Sequence, residues 1–310
     1  FRVMPADTGI AFVVLQHLDP SFASLAVELF GKCTSMPVKE AENGMLLEAN
    51  HVYVSPSNKD IEVRKGCVVL IARSNLQRPR LPIDHLFQTL GDDCGAKAIG
   101  ILLSGTGTDG TLGLKTISAN GGIVLVQDPA TAQFDGMPRS AIGSGMTNYV
   151  LPVEKMPEVL VRYARHPYAT SPESPTQEGS GGSALLDMLA IVKGQRGYDF
   201  SGYKRGTLRR RIQRRMSLRG VLHEADYAQV LKNEPGEVDA LFRDLLIGVT
   251  EFFRDAEAWK ILETEVIAPL VAGKNRDEPI RIWIPGTSSG EEAYTTAMVL
   301  AEHLPDSGWE

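Results

Sequence analysis

Apolar and polar residues alternate along the first half of the chain with two different periods. Short apolar runs bounded by glycine or a polar turn predict strands, and the clearest are GIAFVVLQ (9–16), AIGILLSG (98–105) and GIVLVQD (122–128). Between them, apolar residues recur every three or four positions, as in IDHLFQTLGDD (83–93), which predicts amphipathic helices. Strands that alternate with helices are typical of βαβ units and of a doubly wound, mainly parallel sheet.

The remaining strand-like runs of this half are short. HVYVSP (51–56), IEV (61–63) and CVVLIA (67–72) follow one another with only turns between them. We expect these three runs to form an antiparallel ribbon at the edge of the sheet, because short connections join antiparallel strands. Helical periods also predict helices over residues 21–32 and 111–122.

The pattern changes after residue 165. Residues 166–183 are rich in Pro, Ser, Gly and Thr without any hydrophobic period, which predicts a flexible linker. Helices are predicted over 183–195, 206–220, 224–233, 236–248 and 255–272, and IRIWIPGTSSGEE (280–292) predicts a strand, a glycine turn and a helix. The predicted domains are an α/β domain (1–164), a linker (165–184), an all-α subdomain (185–248) and the start of a Rossmann-like domain (249–310).

Composition narrows the class of protein. The chain has 310 residues, a net charge of −6 and 43% hydrophobic residues, which is typical of a globular protein and does not favour nucleic-acid binding. Three well-separated cysteines predict no disulfide or metal framework and indicate a reducing, cytoplasmic compartment. No apolar run reaches the roughly 18 residues that a membrane-spanning helix needs. Because both ends read as the middle of a domain, we expect a fragment of a longer protein.

Two candidate catalytic groups follow predicted strands. His17 comes directly after FVVLQ, and Asp109 lies in the glycine turn after AIGILLSG. Ligands and catalytic groups collect beyond the carboxyl ends of parallel strands, so these residues could be the base and the orienting carboxylate of a hydrolase. Each also has a structural interpretation, because Asp109 could cap the helix that follows it and His17 could be a structural histidine.

Five segments in order resemble the catalytic domain of bacterial chemotaxis protein-glutamate methylesterases. They are LQHLDPSF (15–22), NHVYVSPSNKDIEV (50–63), LLSGTGTDGTLGL (102–114), GGIVLVQDPATAQFDGMPRSAI (121–142) and VLPVEKMP (150–157). The resemblance implies a Ser–His–Asp triad that hydrolyses glutamate methyl esters on chemoreceptors without a cofactor. It assigns the general base to His17 and the carboxylate that orients it to Asp109.

One part of that family's pattern has no counterpart in the chain. The nucleophilic serine of the family lies in a Gly-x-Ser-x-Gly-Gly turn upstream of the histidine, and no such turn precedes His17. Ser21 and Ser24 follow the histidine and are not candidates. We therefore expect residues 1–310 alone to lack esterase activity, and the parent protein with its upstream segment to be active.

The second half resembles the chemotaxis receptor glutamate methyltransferase, an S-adenosylmethionine enzyme. The resemblance rests on YKRGTLRRRIQRRM (203–216), VTEFFRD (249–255) and IPGTSSGEEAY (284–294). It implies that Thr250, Arg254 and Glu292 contact S-adenosylmethionine. The glycine turn is not a phosphate loop, because no Lys follows its last glycine, and glutamates at a helix start also occur for their favourable interaction with the helix dipole. The resemblance also implies that the next strand, whose acidic residue holds the ribose, lies beyond residue 310, so we expect residues 1–310 to bind the cofactor weakly or not at all.

The predicted helix at 206–220 contains a run of basic residues without any acidic residue. Nucleic-acid binding is one interpretation of such a run, but aromatic residues are not interleaved with it. The resemblance implies instead that this helix docks on the acidic methylation region of a receptor, guided by electrostatic attraction. The candidate docking residues are Arg210, Arg211, Arg214 and Arg215, and a solvated basic face is the alternative.

Together these patterns predict a cytoplasmic esterase–methyltransferase fusion that acts in opposite directions on receptor glutamates. The expected partners are the cytoplasmic domains of methyl-accepting chemoreceptors, with no nucleic acid, no metal and no insertion into the membrane. Two alternatives remain at this point: a non-catalytic scaffold that binds receptors, and a hydrolase of a different ester. A Gly-x-Ser turn upstream of Phe1 would favour the enzyme over the scaffold.

Overall fold

The computed structural model describes residues 1–16, 25–72, 81–170, 182–246, 252–274, 279–287 and 290–304. The chain forms two compact units, Phe1–Leu246 and Ile247–Glu310. Within the described ranges, no helix has the length and apolar character needed to cross a membrane.

The first unit consists of an α/β part followed by a helical subdomain. The strands of the α/β part are β1 (Phe12–Val14), β2 (Val38–Glu40), β3 (Val52–Val54), β4 (Lys59–Arg64), β5 (Cys67–Ala72), β6 (Ile99–Leu102), β7 (Ile123–Gln127) and β8 (Tyr149–Leu151). Its helices are α1 (Ala26–Gly31), α2 (Pro82–Cys94), α3 (Thr111–Ala119), α4 (Gly136–Gly143), α5 (Met156–Ala164) and α6 (Pro167–Thr170). The helical subdomain contains α7 (Gly182–Arg196), α8 (Arg205–Arg219), α9 (Glu224–Asn233) and α10 (Pro235–Leu245).

Two three-stranded parallel sheets form the centre of the α/β part. One has the order β1-β3-β2, with Phe12 and Val38 both paired with Val52, and the other has the order β6-β7-β8, with Ile99 paired with Ile123. All five residues of β7 are buried, as the continuous apolar pattern of a parallel strand covered on both faces requires. The prediction of a mainly parallel α/β fold is confirmed.

The predicted antiparallel ribbon over residues 51–72 is only half correct. β4 and β5 do pair in antiparallel fashion, from Lys59–Ala72 to Arg64–Cys67. β3, however, is the middle strand of a parallel sheet, and its three residues are buried. Its unbroken apolar run fits a strand with neighbours on both sides, and not an edge strand with one exposed face.

Helices α2 and α3 pack side by side at unusually short range. A Cβ atom placed on Gly113 would lie 2.5 Å from the carbonyl oxygen of Asp84, and one on Gly91 would lie 3.0 Å from the backbone nitrogen of Ile117. Only glycine permits this approach of the two backbones. The contacts pair the start of α3 with the start of α2, so the N-termini of the two helices lie together.

The helical subdomain is joined to the α/β part through buried arginines of α8. The guanidinium of Arg214 is fully buried, and its Nη2 atom donates to the carbonyl oxygen of Gly122 at 2.9 Å, while Nη1 pairs with Asp244 at 2.6 Å. Arg211 Nη2 donates to the carbonyl of Ala119, the last residue of α3, at 3.3 Å. Cations are favourable at this end of a helix because its carbonyl groups carry partial negative charge.

The second unit contains α11 (Ala256–Leu262), a π-helical turn (Glu263–Ile267), α12 (Ala268–Gly273) and α13 (Glu291–His303). The helix predicted over 255–272 is therefore present, with a π-helical turn between α11 and α12, and Pro269, which cannot donate a backbone hydrogen bond, lies just after that turn. The strand predicted over 280–284 is not formed, and Trp283 is 88% exposed. No described segment of this unit pairs with it, and an isolated strand does not form without a partner.

Replacing Arg214 with Met should destabilise the first unit. The change leaves Asp244 buried without its partner, and breaking a buried ion pair from one side costs about 3–5 kcal/mol. Arg210→Met is the matched control, since Arg210 is exposed one turn away on the same helix and should change stability by less than about 0.5 kcal/mol. Urea unfolding of residues 1–310 measures both free energies, and equal midpoints would contradict the prediction.

Gly113→Ala should lower stability by about 1–3 kcal/mol, because the added methyl group forces α2 and α3 apart. Gly194→Ala provides the opposite case within α7, since no atom lies within 4 Å of the position that its Cβ would occupy. There the better helix propensity of Ala should raise stability by roughly 0.5–1 kcal/mol. The thermal unfolding temperature should therefore fall below that of the parent chain in Gly113→Ala and rise above it in Gly194→Ala.

Candidate active site

The loop between β6 and α3 is held in place by neighbouring segments. The Ser104 backbone N–H donates to Gln127 Oε1 at 2.9 Å, which connects the loop to the end of β7. The hydroxyl of Ser104 accepts the backbone N–H of Phe134 at 2.9 Å, and the N–H of Gly105 donates to the Phe134 carbonyl at 2.9 Å. The loop is therefore fixed at the carboxyl edge of the β6-β7-β8 sheet, where parallel sheets place their functional groups.

Asp109 lies in this loop and is 6% exposed. Its Oδ2 atom accepts the backbone N–H of Ile83 at 3.1 Å, and its Oδ1 atom accepts that of Asp84 at 2.9 Å. Both donors belong to the first turn of α2. The expectation that Asp109 could cap the helix that follows it is therefore wrong about the helix: Asp109 caps α2, which precedes it in the chain, and α3 starts after Gly110 at φ +92°.

Asp84 makes the reciprocal contact. Its Oδ1 atom accepts the backbone N–H of Gly113 in the first turn of α3, at 2.7 Å. Burial raises the pKa of Asp84, the N–H of Gly113 lowers it, and the nearby charge of Asp109 raises it, with a net upward shift. Each helix is thus capped by a carboxylate that lies at the start of the other. The sequence pattern singled out Asp109 alone, although Asp84 is an acidic residue in the first turn of its helix, where the helix dipole favours negative charge.

His17, Ser21 and Ser24 lie outside the described residues, and so does Thr250. The assignment of His17 as the general base therefore stays a prediction, and so does the assignment of Thr250 to the cofactor site.

An apolar cavity of about 510 Å³ separates the two parallel sheets. It is lined by residues 9–13, which include the start of β1, and by residues 97–99 and 101 around the start of β6. Leu86, Phe87 and Leu90 of α2 also line it, as do Leu160 and Tyr163 of α5. Within the described ranges, β1 pairs only with β3 and β6 only with β7, so each of these two strands has one edge without a strand partner, and residues of both line the cavity. No local pattern in the sequence predicts this cavity.

The four arginines predicted to dock on a receptor have different environments. Arg214 and Arg211 are buried against the α/β part, at 0% and 4% exposure, and cannot meet another protein in this arrangement. Arg215 forms a bidentate pair with Glu237 at 2.9 and 2.7 Å. Only Arg210 of the four is exposed. The structure thus corrects the docking prediction for Arg211 and Arg214, because backbone carbonyls already bind their guanidinium groups.

The glycine turn of the second unit leads into α13. Gly286 and Gly290 have φ values of +75° and +105°, which favour glycine, and Glu292 lies in the first turn of the helix. The Oε2 atom of Glu292 is buried and has no hydrogen-bond partner among the described residues. A buried carboxylate oxygen in this state suits an N–H or O–H donor on a ligand, which fits the amino and hydroxyl groups of S-adenosylmethionine. Arg254 is exposed.

Three family models match the chain in succession. The first is CheB methylesterase over residues 1–160, followed by the all-alpha domain of CheR methyltransferase over 184–246. The third is the SAM binding domain of CheR methyltransferase over 248–309. The order of these matches is that of the two resemblances found in the sequence.

The chain is also similar to individual proteins. An uncharacterized 104.1 kDa protein of Rhodobacter capsulatus is 35% identical over 90% of this chain and 32% of its own length. A protein-glutamate methylesterase/protein-glutamine glutaminase of Pyrococcus horikoshii is 32% identical over 52% of this chain and 45% of its own length. The crystal structure of the Thermotoga maritima CheB methylesterase catalytic domain covers 51% of this chain and 86% of its own, at 30% identity and a TM-score of 0.47.

The chain spans about a third of the Rhodobacter relative and less than half of the Pyrococcus relative. The CheB methylesterase model, however, matches more than half of the chain itself. The chain therefore belongs to the CheB methylesterase family, and domains of CheR methyltransferase follow the methylesterase domain in the same polypeptide.

Proposed function

We propose that the α/β part hydrolyses glutamate methyl esters of chemoreceptors, with Asp109 orienting His17 as the general base. The observation that carries this proposal is the state of Asp109: a buried carboxylate at the carboxyl edge of a parallel sheet, fixed by two backbone donors. Family membership supports the reaction type, and relatives such as the Pyrococcus protein are named for it.

The chemistry requires an orienting carboxylate that does not move. In a Ser–His–Asp triad the histidine takes the serine proton as the serine oxygen attacks the ester carbonyl, and it gives this proton to the departing methoxide, which leaves as methanol. Water then attacks the acyl-serine with the same histidine as base, which releases the glutamate side chain and restores the serine. The carboxylate holds the imidazole in the correct tautomer and stabilises the imidazolium. An ionised carboxylate has about four acceptor sites, so Asp109 can accept from an imidazole while it caps α2.

We propose further that the serine comes from outside residues 1–310, on a strand that fills the cavity between β1 and β6. The cavity is lined by two strands that each have an edge without a strand partner among the described residues, and by helices α2 and α5, which is the environment of a central parallel strand. The five lining residues 9–13 correspond to a strand length of about 17 Å, which an added strand of five residues would match. Such a strand joins the two sheets into one and ends near the loop that carries Asp109.

The second half is proposed to methylate receptor glutamates with S-adenosylmethionine held by Thr250, Arg254 and Glu292. When bound, this cofactor supplies an electrophilic methyl group. The buried Oε2 atom of Glu292 supports the assignment, because it needs a donor that no described residue provides. We place the protein in the cytoplasm with chemoreceptor cytoplasmic domains as partners. Arg210 is the exposed member of the proposed docking set.

For the esterase, Asp109→Asn in the full polypeptide should lower kcat for methanol release from a methylated receptor by about 10⁴-fold, because the amide favours the wrong histidine tautomer. Asp226→Asn, an exposed change on α9, should leave the rate unchanged. Residues 1–310 alone should release no methanol. Release by this chain at the rate of the full polypeptide would show that the nucleophile lies within it.

For the methyltransferase, Glu292→Gln in the full polypeptide should weaken S-adenosylmethionine binding by roughly 10- to 100-fold, the effect of losing a hydrogen bond to a charged group. Glu302→Gln, on an exposed position of the same helix, is the control. Calorimetric titration measures both, and it should detect no micromolar binding to residues 1–310. Micromolar binding by this chain would contradict the expected weak site.

A further inference from the structure

We propose that Asp84 is a positioning residue for Asp109: it fixes the segment that carries the Asp109 carboxylate at both of its ends. This inference rests on the proposed esterase function for its catalytic meaning. The positioning itself can be tested without any activity.

Two hydrogen bonds and the backbone of residues 109–113 form a closed ring. The backbone N–H of Asp84 donates to Oδ1 of Asp109 at 2.9 Å, and the side chain of Asp84 accepts the N–H of Gly113 at 2.7 Å. Gly113 lies four residues after Asp109, so one residue of α2 holds both the carboxylate and the start of the helix that follows it. Neither contact can shift independently of the other.

Steric contacts leave this segment little freedom. A Cβ atom on Gly110 would lie 2.7 Å from Cδ1 of Leu102 and 2.8 Å from Cγ2 of Ile83. A Cβ atom on Gly113 would lie 2.9 Å from Cα of Asp84. Because the backbone at Gly110 and Gly113 is packed this closely, a shift at Gly113 cannot be absorbed locally. Removing the hydrogen bond to Gly113 should therefore change the orientation of Asp109 as well as the N-terminus of α3.

The surroundings of Asp84 act on its carboxyl group in opposite directions. Burial and the charge of Asp109 raise the pKa of Asp84, and the N–H groups of Gly113, Leu112 and Gly110 counteract them. Because the folded-state pKa is raised, ionisation of Asp84 disfavours the folded chain; this loss of stability develops as pH rises above the ordinary carboxyl pKa and is complete above the raised pKa. Asp84→Asn keeps the acceptor oxygen and removes this loss, so it serves as the conservative variant.

The first experiment measures amide hydrogen exchange in residues 1–310 by NMR. In Asp84→Ala, the Gly113 amide should exchange roughly 5- to 10-fold faster, because its acceptor is gone. The decisive signal is the Ile83 amide, which bonds to Asp109 and not to Asp84. It should also exchange faster in Asp84→Ala and return to the parent rate in Asp84→Asn.

Asp92→Ala is the matched control, because Asp92 also joins α2 to α3 through Asn120, but at the far ends of the helices. It should leave the Ile83 and Gly113 amides unchanged. Faster exchange at Gly113 with no change at Ile83 would overturn the proposal, since Asp84 would then only cap α3. If the Ala variant does not fold, Asp84→Ser retains one hydroxyl acceptor and is judged by the same two amides.

The second experiment measures methanol release by the full polypeptide. Asp84→Ala should lower kcat by roughly tenfold or more with KM unchanged, and Asp84→Asn should restore it, because misplaced catalytic groups affect the chemical step. An unchanged kcat in an active parent would overturn the positioning role. An inactive parent would count against the proposed function alone, because the Ile83 amide still decides whether Asp84 positions Asp109.

Discussion

The first unit depends on the contact between the N-termini of α2 and α3. Two helix N-termini side by side bring two sets of unpaired N–H groups and two partial positive charges together, which is unfavourable without an acceptor. Asp109 supplies the acceptors for the N–H groups of α2, and Asp84 supplies the acceptor for an N–H group of α3. Gly113 and Gly91 let the backbones approach closely enough for these bonds to form. The same contact that makes the helices pack therefore also fixes the candidate catalytic carboxylate.

Helix α3 is used at both of its ends. Its N-terminus lies at the Asp109 loop, and the carbonyls at and just beyond its C-terminus bind Arg211 and Arg214 of α8. The helix has nine residues, so the two ends are about 13 Å apart. The helical subdomain is consequently attached at the edge where β7 begins, and Asp109 lies at the edge where β6 ends. Docking of the subdomain leaves the candidate esterase edge uncovered by α8.

The sequence predicted the elements whose signals are local. Unbroken apolar runs predicted β6 and β7, and the glycines around Asp109 predicted the loop between β6 and α3. The position of β3 in its sheet did not follow, because its three apolar residues indicate burial but do not identify which strands lie beside it. The burial of Arg214 was missed for a related reason. Its acceptor at Gly122 is 92 residues away in sequence, and arginine is rarely fully buried, so the basic run suggested an exposed face.

The buried arginines restrict how α8 can take part in receptor docking. A receptor carboxylate that bound Arg214 would have to replace its bonds to Gly122, Asn148 and Asp244, and would leave their acceptors buried without a donor. Such a loss costs more than an exposed ion pair returns, since exposed pairs contribute at most about 1 kcal/mol. Any docking that keeps the first unit intact must therefore use the exposed cations of α8, because Arg211 and Arg214 hold the helical subdomain to the α/β part.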